Sequence, residues 1–267
     1  MSALTATLSD SAVVAKRNLI KIKRVPDLLV FTTVQPIMFV LLFGYVFGNA
    51  ISIPDSNYRE FLIAGIFAQT VVFGATFSGA GMADDMQKGV IDRFRSLPMS
   101  RTAVLIGRTG SDIVYNVLTI VVMSLTGLAI GWRIRTSVLE ALLGFILLLL
   151  FAYAISWVFA YVGLIVPTPE VVNNASFVII FPLTFVANTF VPSDKLPTVL
   201  RVFAEWNPIS SLVQAARELF GNISPAAPPP QAWPLQHPVV YTLLWVGIIL
   251  AIFVPLATRQ YMRAASR

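Results

Sequence analysis

Arg108, Asp112 and Asn116 recur every four residues inside an apolar run, so on a helix they form one polar stripe. An ionisable side chain is expensive in such surroundings, which makes Asp112 a candidate for function. Two chemistries fit the spacing. Arg108 and Asp112 can pair i,i+4, neutralising the carboxylate and helping the helix pack. Alternatively, Asp112 and Asn116 border the entrance for a substrate, or Asp112 serves an ion- or proton-coupled carrier. The second concentration of polar groups is DDMQKGVIDRFRSLPMSR at residues 84–101. It holds seven charged side chains (Asp84, Asp85, Lys88, Asp92, Arg93, Arg95 and Arg101) in a chain that is 12% charged.

Catalysis finds little material elsewhere. The absence of cysteine excludes disulfides and thiolate metal sites, and the single histidine, His237, has no second ligand near it in sequence. No metal site is expected. A phosphate-binding loop needs G-x-x-x-x-G-K-[ST], and none of Lys16, Lys21, Lys23, Lys88 or Lys195 is followed by Ser or Thr. There is no G-x-S-x-G nucleophile elbow either. The chain reads as no enzyme by itself.

The elements that must position these groups are membrane helices. Hydrophobic residues make up 57% of the chain and the mean hydropathy is +0.78, more apolar than a soluble core requires. Crossing a hydrocarbon layer of about 30 Å takes roughly 20 apolar residues. Six runs qualify, near 28–48, 61–82, 103–131, 139–166, 172–191 and 239–257. The expected fold is all-α, a single transmembrane domain over residues 1–267 with six spans. The first span follows five basic residues and is full length, unlike the apolar region of a cleavable signal peptide. With the N-terminus inside, 13 of the 19 Lys and Arg residues lie on the inner side, so N-in/C-in is predicted. The pI near 9.8 then reflects basic groups beside anionic lipid headgroups, and no nucleic-acid partner is expected.

Residues 84–98 have the periodicity of a short amphipathic helix. Met86, Val90, Phe94 and Leu97 share one face, and Lys88, Asp92 and Arg95 the other. Asp84 and Asp85 suit its N-terminal end, Lys88 and Asp92 are spaced i,i+4, and Pro98 stops it. It reads either as a helix lying on the inner leaflet or as a docking helix anchored by Phe94, with Arg93 and Arg95 as polar contacts. Residues 8–26 form another amphipathic helix at the interface, with Lys16, Arg17, Lys21, Lys23 and Arg24 on one face and Val14, Ala15, Ile22 and Val25 on the other. Gln35 before Pro36, and Pro182, loosen backbone hydrogen bonds in two spans. Gly74, Ser78 and Met82 give the second span a small-residue face suited to close packing. Phe73 and Phe77 are candidates to line an apolar route. Between Pro192 and Pro238 two short amphipathic segments, 196–206 and 209–220, break at Asn207 and Pro208, and the Pro-rich AAPPP at 226–230 follows.

GVIDRFRSLPMSR resembles the intracellular signature of the daunorubicin-resistance type of permease, within the type 2 family of ABC exporters. The resemblance continues through the basic N-terminal helix, GRTGSDIVYNVL, GWR, and LPTVLRVFAEWNPISSLVQAAREL. It implies a permease subunit without its own ATPase site, paired with separate ABC ATP-binding subunits that hold ATP and Mg. It also implies a coupling helix over 84–98, carried by Met86, Val90, Asp92, Arg93, Phe94, Arg95, Ser96, Leu97 and Pro98, with the N-terminal helix bracing the ATPase. A second permease copy, as homodimer or related heterodimer, is implied, with an outer hairpin at 192–238 dipping into the membrane as a gate. The location implied is a bacterial inner membrane. Drug, antibiotic and lipid substrates all suit an apolar route.

Overall fold

The computed structural model describes residues 3–24, 26–47, 57–95, 102–193, 196–224, 226 and 228–264, and every regular element among them is helical. Prolines, glycines and capping side chains mark the boundaries. Helix α1 (Ala3–Arg24) gives way to α2 (Pro26–Leu42), whose opening proline lacks an N–H that a first turn does not use. α2 continues as a π turn over Phe43–Phe47. Asn57 caps α3 (Tyr58–Gly74) by accepting from the Arg59 N–H at 3.0 Å. After Ala75 comes α4 (Thr76–Gln87), so α3 and α4 make one span with a joint beside Gly74. The next described helices are α5 (Val90–Arg95), α6 (Ala103–Ala129) and α7 (Val138–Ile165). Ser137 and Glu140 form a reciprocal capping box at the start of α7. Thr168 caps α8 (Pro169–Val186). α9 (Thr198–Trp206) and α10 (Pro208–Phe220) meet at Asn207, where the sequence reading places the break. A short α11 (Trp233–Gln236) leads into α12 (Pro238–Ala264).

Five described helices are long and apolar enough to cross a bilayer: Tyr58–Gln87, Ala103–Ala129, Val138–Ile165, Pro169–Val186 and Pro238–Arg263. Within the first expected run, 28–48, the described apolar helix is the shorter Val34–Val46. The α3–α4 span is the most enclosed, with 72% of its most apolar stretch buried against 17% for α12. It is therefore the axis of the bundle. α7 packs against α12, α4, α10, α6 and α3. Gly79 and Gly163 make the α4–α7 crossing possible, since a Cβ on Gly79 would lie 2.7 Å from the Phe159 carbonyl oxygen.

The apolar interior has two parts. The larger joins α3, α7, α10 and the segment after α6, with the Trp132 ring 5.5 Å from both Phe67 and Phe220. The smaller gathers Val14, Met82, Ile91, Leu105, Trp157 and Tyr261 at the end of the bundle where α1, α5 and the tail of α12 meet. Outward faces carry Val114, Val121 and Leu125 on α6, and Leu243, Ile248 and Ile252 on α12. Such rows of exposed aliphatic side chains belong against lipid rather than water.

The stretch 84–98 is not one helix. Asp84–Gln87 is the last turn of α4, Gly89 takes φ +62 after Lys88, and α5 starts afresh at Val90. A left-handed glycine just past a helix is the common way to end it, because it turns the chain without a Cβ clash. Asp84 and Asp85 are thus at a helix C-terminus, and Lys88 pairs backward with Asp84 at 2.7 Å. That contact holds the Lys88 ammonium above the ordinary lysine range. The N-terminal helix also begins earlier than residue 8, at Ala3, and its buried line is Ser11, Val14 and Asn18.

Candidate functional site

The α4–α5 corner is built by Gly89 and anchored by Ile91. Ile91 is 3% exposed and packs with Met82, Val104 and Tyr261, while Met86 leans on the same cluster. Met86 is therefore partly spent on the protein's own core instead of standing on an open docking face. Val90 is half-buried and Arg93 exposed. The side chains of Asp92, Phe94 and Arg95, together with Ser96, Leu97 and Pro98, lie outside the described residues. Behind the corner Arg17 of α1 donates to both oxygens of Asp85, at 2.8 and 3.2 Å. Sequence reasoning missed Ile91 and the Arg17–Asp85 pair. The available signal was Gly89, a glycine after Lys88 in an otherwise helical pattern.

The polar stripe on α6 points at α4. Arg108 sends Nη2 to the Phe77 carbonyl at 2.6 Å, and Ser78 Oγ donates to Asp112 Oδ2. Asn116 Nδ2 donates to the Asp112 carbonyl at 2.9 Å. The i,i+4 pair expected between Arg108 and Asp112 gives way to bonds across the helix crossing. Small residues admit this: Gly81 lies under the Arg108 guanidinium, and a Cβ on Gly74 would lie 2.7 Å from Asn116 Oδ1. Arg108 Nε and Asn116 Oδ1 are buried without partners. Hydrogen bonds between membrane helices are worth about 0.6–1.7 kcal/mol. Asp112→Asn, which keeps an acceptor for Ser78, is expected to retain transport and to lower thermal stability by at most about 1 kcal/mol. Loss of transport with unchanged stability would instead give the carboxylate a direct part.

A cavity of about 130 Å³ opens between α2, α3, α4 and α6. Phe73 and Phe77 line it beside Gln35, Gln69, Tyr115 and Thr119. Asp112 and Asn116 are not in its wall; Asn116 sits behind Gly74, which is. The stripe and the two phenylalanines are neighbours across α4 rather than one surface. Gln35 and Gln69 join the cavity from α2 and α3, which single-helix periodicity does not reveal.

At the other end of the bundle, Arg217 of α10 is 2% exposed. Its Nε donates to the Phe61 carbonyl at 3.0 Å and Nη2 to the Asn188 and Thr189 carbonyls at 2.8 and 3.3 Å. The guanidinium carbon lies 3.4 Å from the centre of the Phe61 ring. Trp132 Nε1 donates to Asn222 Oδ1 at 2.7 Å, and Arg135 meets Glu60 at 2.7 Å. These contacts fasten α10 to α3 and to the segment following α6.

The profile of the ABC-2 type transporter family matches residues 11–220. The chain is 30% identical over 260 residues to a daunorubicin resistance ABC transporter permease protein of Streptomyces coeruleorubidus, covering 97% of this chain and 87% of the relative. It is 29% identical over 233 residues to a doxorubicin resistance ABC transporter permease protein of Mycobacterium tuberculosis, covering 84% and 80%.

Proposed function

The chain belongs to the ABC-2 type transporter family, and on that premise we propose that it is the membrane permease subunit of an ATP-driven exporter. Two permease copies work with two separate ATP-binding subunits, which hold ATP and Mg. The permease spans six times with both termini in the cytoplasm, the first span being the run 28–48. In this orientation the α4–α5 corner is cytoplasmic and α9–α10 form the outer gate. The corner carries the proposal: α4, the end of the most buried span, runs into the charged stretch as far as the Gly89 turn, where α5 follows, so force applied at the corner acts on the base of the centre of the bundle. Within 84–98 the ATPase docks on the outer part, with Phe94 as anchor and Arg93 and Arg95 as polar contacts, while Asp85 is turned to Arg17 of α1 and takes no part in that contact. The partner's ATP cycle supplies the work.

The substrate is amphipathic or lipophilic, a drug, antibiotic or lipid taken from the cytoplasm or the inner leaflet. The cavity supports this choice, since its wall combines Phe73 and Phe77 with amide and hydroxyl groups, and among the described residues it has no carboxylate or basic side chain. The names of the relatives point the same way. Asp112, through Ser78, and Arg108, through the Phe77 carbonyl, act as the tie that keeps α6 on α4 beside that wall.

The test is co-purification from native membranes. The wild-type chain is expected to bring an ATP-binding subunit, and Phe94→Ala with Arg95→Ala to weaken that association by roughly 30-fold, the equivalent of a hot spot worth about 2 kcal/mol. Transport that needs a proton gradient but no ATP-binding subunit would overturn the proposal in favour of a carrier using Asp112.

A further inference from the structure

Helix α1 is seated in the bundle. A Cβ on Gly107 would lie 2.6 Å from the Ser11 carbonyl oxygen, so the absent side chain lets α1 rest against the α6 backbone. Asn18 Nδ2 donates to Ser111 Oγ at 3.3 Å along the same contact. Arg17 reaches past α6 to Asp85, which is 5% exposed on the final turn of α4. A bidentate guanidinium–carboxylate contact fixes angle as well as distance, and at this burial salt screens it weakly. Beyond Asp85 the same helix carries Ser78, tied to α6, and Phe77, in the cavity wall. α4 is therefore one rod from the α5 corner to the cavity, and Arg17 fastens α1 to its base.

We propose that Arg17 and Asp85 are positioning residues that make α1 and the α4–α5 corner a single lever, so that displacement of the corner reaches the Phe77 side of the cavity instead of being absorbed at the Gly89 turn. This rests on the exporter reading above. Both elements that reach the ATPase side move together because of this pair. With the pair broken, α5 can still dock, but it swings on Gly89 while α4 stays behind. Binding and ATP hydrolysis then survive, and transport per ATP falls.

The chain has no cysteine, so spin labels can be placed on introduced cysteines at Val13, 62% exposed on α1, and at Gln87, exposed on α4. In the full complex with its ATP-binding subunit, the distance between the labels is expected to stay single and narrow when ATP and vanadate are added. In Asp85→Asn it should broaden or shift, and export of daunorubicin per ATP hydrolysed should fall roughly three- to thirty-fold, the range for changes along a coupled network. The exchanged pair Arg17→Asp with Asp85→Arg should restore both. An Asp85→Asn complex whose label distance does not respond, or a defect that the exchange leaves in place, would overturn the proposal. If Asp85→Asn does not fold, Arg17→Gln at the half-buried end of the pair serves instead. A wild-type chain that binds no ATP-binding subunit would count against the exporter reading itself.

Discussion

Gly163→Ala leaves no folded permease. A Cβ at this position would overlap the Gly79 carbonyl and lie 2.9 Å from Met82 Cβ, so α7 and α4 can no longer cross where they do. The obstacle at Gly79 is backbone, which has no rotamer to yield. Overpacking by one methyl costs typically about 1–3 kcal/mol even where side chains can adjust. Between membrane helices close backbone approach is the main attraction, so separating them also forfeits the packing that replaced lipid contact. The α4–α7 crossing sits in the most buried span, and its loss reaches both apolar clusters. The measurement is the fraction running as a single detergent-solubilised peak after mild heating. Gly110→Ala and Gly247→Ala are the controls: nothing lies within 4 Å of a Cβ at either position, and the gain in helix propensity should make them neutral or more stable by up to about 1 kcal/mol. A Gly163→Ala protein as stable as these controls would remove the crossing from the account.

Arg217→Met is expected to unfold the α9–α10 hairpin, and Arg217→Lys to rescue little of it. The guanidinium serves three carbonyl oxygens on two different segments while covering the Phe61 ring. Methionine fills the volume but removes the Arg217 donor from the Asn188 and Thr189 carbonyls, which lie in a turn rather than a helix, at roughly 1–3 kcal/mol each. The total approaches the lower end of the stability of an ordinary domain. Lysine keeps the charge but lacks the planar fork that reaches Phe61 and Asn188 together. Limited proteolysis between residues 192 and 238, compared across the three proteins, reports the outcome. A lysine variant as resistant as the wild type would show that charge, rather than directed hydrogen bonding, holds the hairpin.

Hydropathy and punctuation are local, one-dimensional properties, and they carried the reading of the sequence as far as such properties go. The all-helical membrane architecture, the charged stretch at 84–101 and the break at Asn207–Pro208 are legible because run length, charge and proline act within a few residues. Gly89 was equally legible, yet the amphipathic pattern on both sides of it suggested one continuous helix; the glycine's left-handed turn divides that stretch and buries Ile91 in the core, with Met86 and Val90 only partly enclosed. What tertiary structure alone decided is which faces meet. Asp112 takes Ser78 on α4 in preference to Arg108 on its own helix, Arg17 finds Asp85 across 68 residues of chain, and Phe73 and Phe77 come to share a cavity with Gln35. In a soluble helix the apolar stripe announces the buried face, but in lipid the buried and outward faces are equally apolar. The sequence of a membrane helix therefore declares that it spans, while its rotation and its neighbours are settled by backbone approach at small residues and by the few polar groups that must find each other.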